Sequence, residues 1–348
     1  MATWKELKDN PRSKQIFSQR AEIIRGIREF FWNGGFEETA TPSLVKYPGQ
    51  EPYLDPFVTQ VTDPLGSSNI FYLQTSPELA MKKLLVAGFE KIFQICPCYR
   101  NGEDSGGRHN PEFTMIEWYR APGNLTQIMD DTEQMVKVVA TKINKQSLVV
   151  VKNIGGPINV PIHTTWRRAT MKEIWQEFVG IDLDNFLTTE TLRELVMKKG
   201  YEVRPEDEYE DLFYKIFLNE IEPKLGVDKP VFVYDYPTIM TSLSKPSVTP
   251  GYSERFELYA GGMELANAFG ELTNPTVQLY NLERDKQKRK DLGKDIYEID
   301  QDFIAALAAG MPPAGGIALG VDRLVMLLTG ARDISEVIFQ TTKEQLSY

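Results

Sequence analysis

Sulfur and histidine are scarce in this chain: two cysteines and two histidines among 348 residues. Both cysteines fall in one triplet, Cys96-Pro97-Cys98, and the histidines, His109 and His163, are far apart. A tetrahedral zinc site is hard to assemble from so few ligands so placed, and no disulfide framework is expected. The thiols are expected to lie reduced and buried in a strand, in a cytoplasmic protein. Long apolar runs are also missing. The most apolar region, 303–328, is broken by Pro312, Pro313, Asp322 and Arg323, so no membrane partner is expected. The opening Met-Ala-Thr-Trp-Lys-Glu-Leu-Lys has no apolar core of the signal-peptide kind. A surplus of cations is absent too: the formal charge of −10 argues against broad nonspecific binding of nucleic acid, while leaving room for a local basic patch. The sequence contains no phosphate loop, no Gly-x-Ser-x-Gly elbow and no His-Glu-x-x-His helix. It has no internal repeat.

What remains is an ordinary globular composition, 42% apolar and 25% charged, long enough for one elaborated domain or two. Helical spacing over 18–34 ends at Gly34-Gly35, and Phe36 to Pro42 reads as a strand stopped by proline. A strand at 69–75, a helix at 77–87 and a hairpin over 92–119 follow. The span of about 123–225 is richer in helix patterns (126–142, 168–179, 189–199, 208–221) and is expected to be an insertion or peripheral layer. Val231–Tyr236 reads as a strand, and Arg255–Phe269 as two strands about Gly261-Gly262. A charged helix covers 277–294, and a strand runs into a helix over 315–329. Hairpins with helices packed on them indicate the α+β class, built on an antiparallel sheet.

Four constellations carry chemistry. In the hairpin, the two-residue period puts Phe113, Met115, Glu117 and Tyr119 on one face, with Gln94, Cys96, Cys98 and Arg100 on the same face of the neighbouring strand. An arginine, an aromatic plate, a carboxylate and a phenol facing one cavity suit a nucleotide beside a cationic substrate. The Gly-Gly turn pairs Tyr259 with Glu264 and Glu257 with Ala266, so Glu257 and Glu264 lie diagonally on one face. They could converge on Mg²⁺ or form an unrelated solvated pair. In Gly316-Ile-Ala-Leu-Gly320, small residues allow close approach of a ligand, and Arg323 in the following first helical turn favours phosphate; a local ion pair with Asp322 is the plainer reading. Thr75-Ser-Pro-Glu78 has the form of a helix start, where Glu78 either complements the dipole or accepts a substrate amine. His109, among Arg108, Asn110 and Glu112, fits a phosphate or structural role. His163 reads as structural. The run Arg284 to Lys290 reads as a solvated helix face.

Taken in order, Gly35–Pro42, Arg100–Tyr119 and Gly316–Leu328 resemble motifs 1, 2 and 3 of the class II aminoacyl-tRNA synthetases. Thr-Ser-Pro-Glu-Leu (75–79), Arg-His-Asn-Pro-Glu-Phe-Thr-Met (108–115) and Glu-Leu-Ala-Asn-Ala-Phe-Gly-Glu-Leu-Thr (264–273) resemble the lysyl branch. Two features are more similar to the stand-alone elongation factor P–lysine ligases. Fewer than about 20 residues precede the first catalytic helix, so an anticodon-binding barrel is not expected, and Ala318 stands where lysyl-tRNA synthetases usually have glycine. The chain departs from both groups at Arg100-Asn-Gly-Glu103, one residue longer than the usual Arg-Asn-Glu. Ser242 to Phe256 is closer to the synthetases.

The resemblance implies a single class II catalytic domain over 1–348 with an insertion at about 123–225. It implies ATP and Mg²⁺, a lysine or (R)-β-lysine substrate, elongation factor P as acceptor, and a homodimer through motif 1. By position, Arg100 would bind the α-phosphate, Phe113 would stack on adenine, Glu103 would reach the adenine, and Arg323 would hold the γ-phosphate, with Arg108 and His109 near the phosphates. Glu257 and Glu264 would hold Mg²⁺. Glu78 would take one substrate amine, and Glu117, Tyr119 and Glu271 the other. Asn267 would face the carboxylate and Ala318 would wall the pocket. Two alternatives stay open: a lysyl-tRNA synthetase without its own anticodon domain, for which tRNA is the acceptor, and a non-catalytic lysine sensor.

Overall fold

A computed structural model describes residues 3–103, 107–152 and 156–346. The chain opens with helices α1 (Trp4–Asp9) and α2 (Pro11–Asn33). Short strands β1 (Glu37–Glu38) and β2 (Leu44–Val45) lead to the hairpin β3 (Val58–Thr62) and β4 (Ser68–Leu73), then to α3 (Glu78–Val86). The central hairpin is β5 (Lys91–Tyr99) and β6 (Glu112–Arg120). Next come α4 (Leu125–Lys142), a second hairpin of β7 (Ser147–Lys152) and β8 (Gly156–Pro161), and β9 (Arg167–Thr170). Helices α5 (Met171–Val179), α6 (Thr189–Lys198) and α7 (Tyr209–Ile216) precede β10 (Val231–Pro237), β11 (Tyr252–Tyr259) and β12 (Glu264–Gly270). The chain ends with α8 (Pro275–Asp291), α9 (Gln301–Gly310), β13 (Gly315–Gly320), α10 (Val321–Thr329) and α11 (Thr342–Gln345).

Eight strands form the main sheet in the order β1-β5-β6-β13-β12-β11-β10-β9. Its six inner strands are antiparallel, and the edge pairs β1/β5 and β9/β10 are parallel. This is the α+β architecture expected from the sequence. Alternation divides the sheet into two faces. Phe93, Ile116, Trp118, Phe256, Leu258, Ala266, Ala268, Ile317 and Leu319 point to one side, where α2, α4 and α10 close the principal core. Trp118 is wholly buried there, its ring centroid 5.0 Å from that of Phe31. The opposite face carries Gln94, Cys96, Phe113, Met115, Glu117, Tyr119, Asn267 and Ala318 in register across β5, β6, β13 and β12. Two smaller cores flank that face, one under α3, α8 and α9 and one under α5 to α7. The cavity lies between them.

Several boundaries differ from the sequence reading, each for a local reason. Only Glu37–Glu38 of the expected strand at 36–42 ladders with β5. Beyond it Gln94 takes over the pairing with its side chain: its Oε1 accepts from the Thr41 N–H at 3.0 Å, and its Nε2 donates to Thr41 Oγ1 at 3.0 Å. The Gly261-Gly262 turn pairs Tyr259 with Glu264 as expected, but a bulge moves Glu257 opposite Asn267 instead of Ala266. The span 123–225 is not one peripheral layer. Helix α4 belongs to the principal core and β9 to the sheet edge, whereas α5 to α7 make the second core.

The basic run on α8 is not a wholly solvated face. Arg289 is fully buried. It donates to the carbonyls of Glu51 (2.8 Å), Leu54 (2.7 Å) and Asp295 (2.9 Å) and to the Asp55 carboxylate (2.9 Å). Its guanidinium lies 4.5 Å from the centroid of the Tyr297 ring. Lys288 pairs with Glu208 and Glu210. Apolar periodicity cannot reveal a buried arginine whose partners are mostly carbonyls 235–238 residues away. Arg289→Met is expected to lower the unfolding free energy by about 2–4 kcal/mol in urea titrations, since it strands carbonyls that the guanidinium satisfies. The same change at exposed Lys290 should stay within about 0.5 kcal/mol.

Candidate active site

The cavity has a volume of about 1730 Å³ and is lined by both conserved-type arginines of the sequence reading, Arg100 and Arg323, and by Glu78, Glu103, Arg108, His109, Phe113, Glu117, Tyr119, Glu264, Asn267, Glu271 and Ala318. Of the residues that the resemblance assigns to the site, Glu257 alone is absent from the lining. It sits one layer down, accepting from Tyr236 Oη at 2.7 Å, from the Tyr259 hydroxyl, and from Arg255 Nη2 at 2.5 Å.

One end of the cavity is cationic. Arg100 follows β5, and its guanidinium lies 5.1 Å from the Phe113 ring centroid. Its Nε is buried and has no partner among the described residues. A buried, unsatisfied donor is costly unless an acceptor arrives, so this atom fits an anionic ligand. Arg323 enters from the first turn of α10. It donates to the Glu264 carbonyl at 2.9 Å and places Nη2 3.3 Å from His109 Nε2. It does not pair with Asp322. That carboxylate is buried, accepts from the Thr114 N–H at 2.6 Å and pairs with Arg20, pinning α10 to β6 and α2. Glu103 turns back to His109, Oε2 to Nδ1 2.7 Å, and the hydrogen bond from the imidazole holds its carboxyl below the usual range. The extra Gly102 makes this possible by adopting φ +72°.

Acids crowd the other end. Ser76 Oγ donates to Glu117 Oε1 at 2.5 Å, and Tyr119 Oη to Glu117 Oε2 at 3.0 Å. Burial, reinforced by the charge of Glu78, pushes the Glu117 carboxyl well up; burial and then Glu117 do the same to the Tyr119 phenol. Glu271 is almost fully enclosed, and burial followed by the charge of Glu78 outweighs Lys82 to lift it to about 7. Lys82, missed in the sequence reading, sits one helical turn after Glu78 and is 1% exposed. Its Nζ lies 2.5 Å from Glu78 and 2.6 Å from Glu271. Burial alone would lower its pKa, but Glu271 and then Glu78 reverse that, so it stays a cation. The Glu78–Lys82 spacing of four was the available signal. Gly316 is essential to this packing: a β-carbon there would fall 2.1 Å from Tyr119 Cε1 and 2.4 Å from Glu271 Oε1.

Between the two ends, Ala318 lies in register with Glu117 on one side and Asn267 on the other, its methyl on the cavity floor. Asn267 Oδ1 accepts from Arg255 Nε at 3.1 Å. Glu264 faces the cavity with Arg323 3.8 Å away, and burial plus the neighbouring Glu257 raises its carboxyl. Among the described residues no group of three or more His, Cys, Asp or Glu gathers as a metal cage. Mg²⁺ needs fewer protein ligands, because one or two carboxylates suffice when waters and phosphates complete the shell. Half-buried Glu264, with Glu257 behind it, has that oxygen-donor chemistry. Cys96 and Cys98 are buried free thiols beside Met115, as expected of strand cysteines. His163 is exposed, away from the cavity. No helix among the described residues is long and apolar enough to cross a membrane.

An antiparallel sheet presenting an arginine-bearing hairpin, a glycine-rich strand and an arginine-bearing helix to one cavity defines a class II synthetase catalytic unit. A family model described as tRNA synthetases class II (D, K and N) matches residues 3–343, and the chain belongs to that family. Its relatives narrow the branch. A lysine–tRNA ligase of Moorella thermoacetica is 37% identical over 96% of this chain and 66% of its own length. One from Pelotomaculum thermopropionicum is 37% identical over 94% and 63%. An elongation factor P–(R)-β-lysine ligase of Histophilus somni is 37% identical over 94% of both chains. The chain thus spans about two thirds of the lysine–tRNA ligases.

A carboxyl whose folded pKa is raised favours the folded state while protonated. For Glu271 that contribution is full below about pH 4.5 and is lost as pH rises through about 7. Glu271→Gln keeps the neutral shape. Relative to wild type it should therefore gain roughly 3 kcal/mol between pH 4.5 and 7.5 in urea midpoints taken across pH. Parallel curves would mean that Glu271 is ionised throughout.

Proposed function

We propose that the protein activates a lysine isomer with ATP as the aminoacyl-adenylate and passes it to a lysine side chain of elongation factor P, with (R)-β-lysine as the preferred substrate. The observation that carries the activation step is the charge count at the acid end. Glu78, Glu117 and Glu271 face one cation among the described residues, Lys82. Two negative charges therefore stand once a ligand's ammonium groups draw Glu117 and Glu271 into their ionised forms. A lysine isomer brings two ammonium groups to match them, and its carboxylate then points toward Asn267 and Arg100.

The substrate carboxylate attacks the α-phosphorus and pyrophosphate leaves. The nucleophile is already charged, so no side-chain base is needed. Arg100 neutralises charge at the α-phosphate, Arg323 holds the γ-phosphate beside His109 and Arg108, and Phe113 supports the adenine, with Glu103 at its edge. Mg²⁺ held by Glu264, with Glu257 engaged behind it by Tyr236, Tyr259 and Arg255, would neutralise phosphate charge when bound. Catalysis lies in alignment and preorganised charge. In the second step an amine attacks the acyl carbon, giving an amide and AMP.

Two observations favour a protein acceptor over tRNA. The likeness to the Histophilus somni ligase covers 94% of both chains. Ala318 also puts a methyl on the floor between Glu117 and Asn267, where it can discriminate between substrates with the amino group on neighbouring carbons. Transfer to tRNA is the second reading, favoured by the equal identity to the lysine–tRNA ligases. We also place the protein in a homodimer through the motif 1 segment, next to exposed Leu44, Val58, Val61 and Ile70 of the β2-β4-β3 sheet. The protein acts in the cytoplasm.

Pyrophosphate exchange should be supported by (R)-β-lysine in preference to α-lysine, and radiolabel should move to elongation factor P. Exchange with no lysine isomer would sink the enzymatic reading and leave a lysine sensor; label on tRNA alone would establish the second one. Ala318→Gly should shift kcat/KM toward α-lysine by about 10- to 100-fold, the worth of one methyl in a fitted pocket. Light scattering at micromolar concentration should give the mass of two chains.

A further inference from the structure

The acid end and the phosphate end leave half-buried Glu51 without a task. Glu51 lies on the segment between β2 and β3 and lines the cavity with Arg100 and Glu78. The segment is fixed on two sides. Arg289 holds the carbonyls of Glu51 and Leu54, and the Asn101 N–H, just past Arg100, donates to the Asp55 carbonyl at 2.7 Å. The side chain folds back over its own loop. A β-carbon at Gly49 would stand 2.1 Å from Glu51 Oε2, so the glycine makes room for the carboxylate. The charged groups around it are Glu78 from α3, Arg100 from the hairpin and Asp285 from α8, with the Tyr297 phenol and Arg289 behind. No side chain among the described residues is bonded to its carboxylate.

The two steps of the reaction differ in what they require of such a group. Adenylation starts from a carboxylate and needs no base. Transfer to a lysine side chain starts from an ammonium, which has no lone pair to attack with. Glu78, Glu117 and Glu271 are committed to Lys82 and the substrate's amines, whereas Glu51 has no bonded side chain among the described residues and lines the cavity with the arginine that would hold the reacting phosphate. We propose that Glu51 is the proton acceptor for the incoming amine, a role that rests on the protein-acceptor reading above. The ammonium gives one proton to Glu51. Its freed electron pair forms the carbon–nitrogen bond, the acyl carbon–oxygen bond breaks with its electrons leaving on AMP, and the second surplus proton passes from the amide nitrogen to solvent. Enclosure and then the neighbouring Glu78 raise the Glu51 carboxyl, which strengthens it as a base.

Glu51→Gln tests this in single-turnover transfer from preformed adenylate on the whole protein. Pyrophosphate exchange should be unchanged, and transfer to hydroxylamine, uncharged at neutral pH, should match wild type. Transfer to purified elongation factor P should fall about 10²- to 10³-fold. The variant's residual rate should climb about tenfold per pH unit from 7 to 9 as the acceptor amine deprotonates unaided, while the wild-type rate climbs less steeply. Loss of exchange, an equal loss with hydroxylamine, or an unchanged rate to elongation factor P would each overturn the role. If wild-type adenylate transfers to tRNA but not to elongation factor P, the acceptor reading itself falls, and this is seen before any variant is made.

Discussion

Everything in the cavity depends on the alternation of β6. Ile116 and Trp118 are locked into the principal core against Phe31 and Phe93, and that fixes Phe113, Met115, Glu117 and Tyr119 on the other side. A slip of one residue would put the carboxylate and the phenol into an apolar core and Trp118 into the cavity. The strand cannot slip at tolerable cost. Neighbouring strands inherit the frame: Gln94 opposes Glu117 across β5, and Ala318 opposes it across β13. The acidic pocket therefore needs no loop to assemble it. Rigid elements hold buried charges in place that would otherwise relax toward water.

That rigidity has an electrostatic consequence. Three carboxylates brought to one enclosed spot repel one another, and burial worsens the penalty. Lys82 offsets part of it from inside the protein. Glu117 and Glu271 keep raised pKa values, so the empty pocket is under-compensated. On the proposed reading, an incoming diammonium ligand relieves the charges that folding left unpaired, which turns a folding cost into binding selectivity. The phosphate end is arranged with the opposite sign. Arg100 has a buried donor without acceptor among the described residues, and Arg323 is held by the Glu264 carbonyl and carboxylate and the His109 imidazole. Each end is complementary to one part of a substrate pair.

The sheet and its hairpins were legible in the sequence because strand periodicity and a Gly-Gly turn are local signals. So was the face shared by Phe113, Glu117 and Tyr119. The bulge after the Gly-Gly turn was not, since nothing in Met263-Glu-Leu265 marks an extra residue, and Glu257 moved one register step as a result. Arg289 escaped notice because its burial depends on carbonyls far away in sequence. Lys82 stood within an i,i+4 pair that usually signals a solvated helix surface. The tertiary fold reversed that meaning by closing β12 and Glu271 over it. Buried charge is where local patterns fail, because its partners are chosen by the fold.

Glu51 follows the same logic. Its place is set by Arg289, a residue on a helix that contributes through Arg284 and Lys288 to the cavity wall and through Arg289 to the loop behind it. The segment 49–55 is thus braced between α8 and the residue after Arg100. Glu117, Tyr119, Asn267 and Ala318 sit on the sheet, where alternation fixes them. Glu51 sits on a braced loop that lines the same cavity. On the proposed reading, a synthetase-type first step and a distinct second nucleophile share one cavity, the sheet serving the adenylate and the loop the incoming amine.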